Sequence, residues 1–202
     1  MESEFLPSDV GRVPRGQLCG LFVALVLSGP WSAAQAGASR TRSDELVARG
    51  LELRAKGKAS EALDLFRQAN ALEPTARTAG QMGLVEASLQ AWMDADSHLT
   101  SAFSQSEDPW VIKNRSILEY ALSLTRSHIG ELEILGPPGT WVHIAGTEGK
   151  WPTLPLEKVL RAPEGDVRVF AMAVGYKQLV QHVKVVGGTR TKVTLALVPE
   201  RR

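Results

Sequence analysis

The sequence predicts an α+β chain in several parts, about five helices in tandem followed by a small antiparallel β-sandwich, and three observations carry this. Between Ser43 and Pro109 one pattern is written twice: Gly50, Ala62, Phe66 and Ala69 return as Gly83, Ala95, Leu99 and Ala102, each displaced by 33 residues. Small residues let helices cross closely and large apolar ones interlock between them, so fixed spacing has a packing cause. From Glu131 the apolar period changes from helical to alternating, with Leu132 and Ile134 between acidic neighbours. An apolar run, Leu18 to Leu27, stands apart near the amino terminus.

That run reads as an address. Arg12 and Arg15 precede it, Gly29 and Pro30 break it, and Ser32 to Ala36 offers small residues at an A-x-A site. The expectation is a secretory signal over residues 1–36, cleaved between Ala36 and Gly37. The alternative, an uncleaved anchor, needs ~20 apolar residues, and the run holds roughly half of that. Glu2, Glu4 and Asp9 are unusual before a signal, and a start placed too early accounts for them. Cys19 is the one cysteine and leaves with the signal, so the mature chain is expected to have no disulfide, thiolate metal site or cysteine nucleophile. The 202 residues are 44% hydrophobic and 22% charged, with 23 basic against 22 acidic side chains, a net charge of +1. Such a balance leaves no electrostatic footprint for nucleic acid. An exported protein of the periplasm or cell envelope, with no stable membrane span after cleavage, is the expected location.

Residues 37–42 are small and polar and are expected to be a flexible lead. Ser43 offers an N-cap, with Asp44 and Glu45 at the positive end of the helix dipole, for a helix to about Lys56. The partner, Ala59 to Leu72, stops before Pro74. The second unit, Ala76 to Pro109, repeats the pair with Leu99 in place of Phe66. Two pairs leave a flank open, and Pro109 to Ile129 supplies a capping helix whose apolar face includes Trp110, Ile117, Leu118 and Ala121, with Arg126 and His128 at its carboxyl end. The helical part is thus 43–129.

Residues 130–199 make the strand part, before a short tail at 200–202. Leu132 and Ile134, a Gly136-Pro137-Pro138-Gly139 turn and Thr140 to Ile144 predict a hairpin. Val167 to Ala173, Leu179 to Val186 and Thr191 to Val198 are three further strand-like runs, separated by Gly175-Tyr176 and Gly187-Gly188.

The spacing of Gly50, Ala62, Phe66, Ala69 and Pro74 resembles the tetratricopeptide repeat. The second unit is a degenerate copy with its proline late, at Pro109. The resemblance implies that the first helix of each pair lines a peptide-receiving face, which points to Val47, Leu51, Arg54, Arg77 and Leu84, extended by Lys113 and Asn114. Basic side chains there suit an acidic segment or carboxyl terminus, against the alternative of a solvated helix face. In the strand part, Thr153 to Leu156, Pro163-Glu164-Gly165 and Gly175-Tyr176, in that order, resemble the PEGA domain, with Asp166 in place of the last residue of the name. That resemblance implies an envelope or surface module without catalytic activity.

There is no G-x-S-x-G, H-E-x-x-H, Walker-type loop or G-x-G-x-x-G. Asp94 and His98 share a helix face that a metal could bridge, but with no third ligand they read as solvent-facing helix residues, as does Asp96. His128, His143 and His182 are scattered over separate elements. Trp141 is expected to help fill the sandwich core, while Trp151, beside Pro152, reads as a loop residue able to stack on a sugar ring. Asn114-Arg115-Ser116 fits a glycosylation sequon inside a predicted helix. The expectation is a non-enzymatic adaptor or scaffold with no cofactor or metal, binding a protein or peptide segment. The alternative is a carbohydrate-binding or cell-wall-binding module acting through Trp151.

Overall fold

The computed structural model describes residues 31–147 and 151–200. The predicted signal lies outside the described residues except for its last positions, and the end of the tail lies outside them too. Among the described residues five helices come first: α1 (Trp31–Ala55), α2 (Ala59–Leu72), α3 (Ala76–Ser88), α4 (Trp92–Phe103) and α5 (Pro109–Ser127). The helix α1 runs through Ala36 and Gly37 and on through residues 37–42, which are therefore helical and no flexible lead. Nothing in Gly37 to Arg42 breaks a helix, and Arg40 Nε meets Glu73 Oε1 at 2.9 Å, tying the extension to the end of α2. Ser43 consequently caps nothing. It is buried, and its hydroxyl donates to the Ala69 carbonyl of α2 at 3.1 Å.

The helices pack with their neighbours, α1 on α2 and α3 on α4, with α3 also against α2 and α5. The repeated glycines explain the pairing. A Cβ on Gly50 would lie 2.5 Å from the Phe66 ring, and one on Gly83 would lie 2.7 Å from Leu99 Cγ and 3.0 Å from its backbone nitrogen. Phe66 and Leu99 are both fully buried, so each large side chain of a second helix sits on the glycine of the first. Thr75 caps α3 by accepting from Thr78 N, and Asp108 caps α5 by accepting from the backbone N–H groups of Trp110 and Val111. Pro109 occupies the first turn of α5, where its missing N–H costs nothing.

One residue, His128, separates α5 from the strands: β1 (Ile129–Leu135), β2 (Trp141–Ile144), β3 (Leu160–Pro163), β4 (Gly165–Met172), β5 (Leu179–Val185) and β6 (Arg190–Thr194). They form two three-stranded sheets, ordered β3-β1-β6 and β2-β4-β5. The second is antiparallel. The first is mixed, because β1 runs antiparallel to β3 but parallel to β6, a parallel pairing beside the antiparallel ones that the sequence predicts. The expected hairpin is also absent: the Gly136–Gly139 turn carries the chain from one sheet to the other, and β2 pairs with β4 instead. Alternating residues of both sheets, among them Leu132, Ile134, Val142, Val169, Val185 and Val193, share one buried core.

Candidate functional site

The face expected to receive a peptide is largely committed to the protein itself. Val47 is 1% exposed and belongs to the core between the first helices, so it is unavailable to a partner. Leu51 and Leu84 are half-buried against the two helical cores. Arg54 Nη1 donates to Gln81 Oε1 at 2.6 Å, and Arg77 Nη1 lies 3.4 Å from Asp44 Oδ1, so both predicted cations tie α1 to α3. The side-chain amide of Asn114 donates to the Trp110 carbonyl one turn back. Lys113 alone of the seven is open to solvent without a bond of this kind.

The helix α5 keeps a group of apolar side chains open. Ile112, Ile117, Tyr120 and Leu124 are 54%, 48%, 70% and 39% exposed, while Val111, Leu118 and Ala121 of the same helix are buried. Ile117 stands 33 residues after Leu84, itself 33 after Leu51. At 33-residue steps α1, α3 and α5 therefore each carry an apolar residue, half-buried at Leu51 and Leu84 and exposed at Ile117.

Two buried polar centres were not legible as such. Glu86 of α3 is fully buried, with His98 Nδ1 at 2.6 Å from Oε2 and Arg67 Nη2 at 3.6 Å from Oε1. The hydrogen bond to Glu86 raises the His98 pKa above its ordinary value; burial opposes this, and the charges of Glu86 and Asp94 reinforce it. His98 is thus paired across two helices, contrary to the solvent-facing reading. Asp96 is 6% exposed and accepts from Arg126 Nε at 2.8 Å and Arg161 Nη1 at 2.7 Å. Burial by itself would raise its pKa, but the bonds from Arg161 and Arg126, with their charges, outweigh it and hold the carboxyl below the ordinary range. One carboxylate therefore joins α4, α5 and β3. The same seam holds a stack of Trp92 on His128, centroids 4.2 Å apart, and a bond between His128 and Glu164. Gly187 closes it, since a Cβ there would collide with the Ser127 carbonyl and the His128 backbone.

The antiparallel sheet presents an aromatic outer face. The ring of Trp151 stacks on His143 at 4.8 Å and 6°, and both approach Phe170, over which Arg168 lies at 5.9 Å. Trp151 is 37% exposed and Trp141 is 40% exposed; the latter faces Met172 across the ladder and lies outside the core that the sequence expects it to help fill. The cause is register, which turns Val142 and Ile144 inward and their alternate neighbours outward. Beside this cluster a cleft of about 380 Å³ opens between Met93 of α4 and His143, Pro152 and Arg161.

Among the described residues, no group of three or more His, Cys, Asp or Glu side chains is placed to hold a metal ion, and no helix is long and apolar enough to cross a membrane. Comparison with models of known protein families and with curated proteins finds no match to this chain.

Proposed function

We propose that this protein is a non-enzymatic adaptor, exported to the periplasm or cell envelope, in which a short tetratricopeptide-like stack holds a segment of another protein. In this reading the PEGA-like sheets contact an envelope component or set its distance. The observation that carries it is the row Leu51, Leu84 and Ile117, apolar, repeated every 33 residues and open at its α5 end. Arg54 and Arg77 are engaged within the protein, which moves the expected partner from an acidic segment toward an apolar one. Helices fixed by their own cores need little ordering when an extended segment docks, so binding energy is not lost to folding. The test is affinity capture from an envelope extract with wild type and Ile117→Glu, a change at a half-exposed position that leaves the core intact. Proteins enriched by wild type and lost with the variant support the reading. Equal enrichment by both, or none by either, overturns it.

A second reading is supported by the aromatic face: an exposed Trp151 held flat by His143 presents a ring able to stack on a sugar. Binding to insoluble cell-wall polymer that disappears with Trp151→Ala would favour this module over the adaptor.

A further inference from the structure

The helix α5 occupies the place of a third first helix. Phe66 sits on Gly50 and Leu99 on Gly83, and the residue at the next 33-residue step is Ser116, again small. No second helix follows to cover it, because the chain enters β1 after His128. Ser116 and its flanking Ile112 and Tyr120 are exposed, with Lys113 and Glu119 exposed beside them.

We propose that this seat is filled by α5 of a second copy, running antiparallel about a two-fold axis at Ser116. The order of residues on the helix carries the choice of occupant. In that register Lys113 stands opposite Glu119 of the other copy, and Ile112 opposite Tyr120, each pair occurring twice by symmetry. Ser116 faces its own counterpart, and two small side chains at the crossing allow the helices to approach to about 8 Å. A parallel pairing in the same register would set Lys113 against Lys113 and Glu119 against Glu119, so charge selects the antiparallel arrangement. The internal pair of Arg115 with Glu119 is a solvent-exposed 3.7 Å contact and competes weakly. One helix pair buries less than the roughly 1,200 Å² of a stable interface, so the dimer is expected to be weak and concentration-dependent. The inference goes beyond the adaptor reading and leaves the row Leu51, Leu84, Ile117 to another partner.

The test uses the full chain with Cys19→Ser. A cysteine introduced by Ser116→Cys meets itself on the axis and under mild oxidation should form a covalent dimer about ten-fold faster than Ser60→Cys, an exposed position on α2. In that background Lys113→Glu should slow cross-linking about ten-fold and the exchange Lys113→Glu with Glu119→Lys should restore it, circular dichroism reporting that each variant is folded. Sedimentation should show mass rising with concentration. Cross-linking at Ser116 no faster than at Ser60, or no restoration by the charge exchange, overturns the proposal, including the case in which the seat takes a helix from a different protein.

Discussion

Replacing Asp96 by alanine tests whether the helical and sheet parts act as one body. The carboxylate makes two charge-assisted bonds, to Arg126 and Arg161, while its own side chain is 9% exposed. Such bonds contribute about 1.5–3 kcal/mol each when fully enclosed. The guanidiniums, however, are 53% and 41% exposed, so both regain water once the acid is gone, and the desolvation of the buried carboxylate is relieved as well. After that discount Asp96→Ala should cost about 2 kcal/mol, and a cycle with Arg161→Ala should show a coupling of about 1 kcal/mol. Urea unfolding followed by far-ultraviolet ellipticity and by tryptophan fluorescence measures both. The two probes should coincide in wild type and separate in the variant. The effect carries a pH signature. The folded pKa is depressed, so the contribution is complete above the ordinary value of ~3.9 and is lost as pH falls through the folded one. Wild type and variant should converge in acid. A cost below about 0.5 kcal/mol at neutral pH, with coincident probes, would refute the reasoning.

Further outcomes follow from other contacts. The raised pKa of His98 means that its pairing with Glu86 stabilises fully below the ordinary ~6.5 and is lost as pH rises through the folded value. Wild type should therefore lose stability between neutral and mildly alkaline pH relative to His98→Gln, and identical pH slopes in thermal melts would contradict this. Gly83→Ala should destabilise by about 1–3 kcal/mol, since its new methyl meets buried Leu99 and its backbone nitrogen. Ser116→Ala at the equivalent place should stay within about 0.5 kcal/mol at micromolar protein concentration, and a cost in denaturation equal to that of Gly83→Ala would show that Ser116 is already covered as Gly83 is. Gly187→Ala should push the sheets away from the end of α5, seen as two separated unfolding transitions where wild type has one.

The helical pairs were legible because Gly50, Gly83, Phe66 and Leu99 encode contacts between near neighbours in sequence, where spacing and partner are nearly the same information. Strand burial was legible for the same local reason: alternation states which residues turn inward, as at Leu132 and Ile134. Alternation does not state which strand lies alongside, so it predicts a hairpin and gives no sign of the parallel partner of β1. The strand β3 escaped because Leu160–Pro163 holds one buried residue, Ala162, and ends in proline. For α1, Ser43 resembled a cap only because the residues before it lacked an apolar stripe, and its true role depends on the Ala69 carbonyl in another helix. The charged centres were hidden for a different reason. Glu86, Asp96 and His98 each look solvated when read singly, although Glu86 shares a helix face with Met82, a buried core residue, and that spacing was an available signal. Of the predicted binding face, Leu51 and Leu84 lie on α1 and α3, half-buried against the helical cores, while Arg54 and Arg77 are engaged by Gln81 and Asp44, partners that only the packed structure reveals.

The parallel pairing of β1 with β6 has a consequence for the order in which the chain can mature. Glu131 lies beside Arg190, 59 residues downstream, whereas each helix packs on a neighbour within the next turn of the chain. The helices can therefore close as they are made, but the first sheet waits for the last strand. A product stalled before Arg190 holds β1 with one open hydrogen-bonding edge and part of the shared apolar core uncovered. Such an edge invites pairing with other chains, so interruptions after β5 should yield the most aggregation-prone fragments, and the final strand acts as the element that makes the protein safe to release.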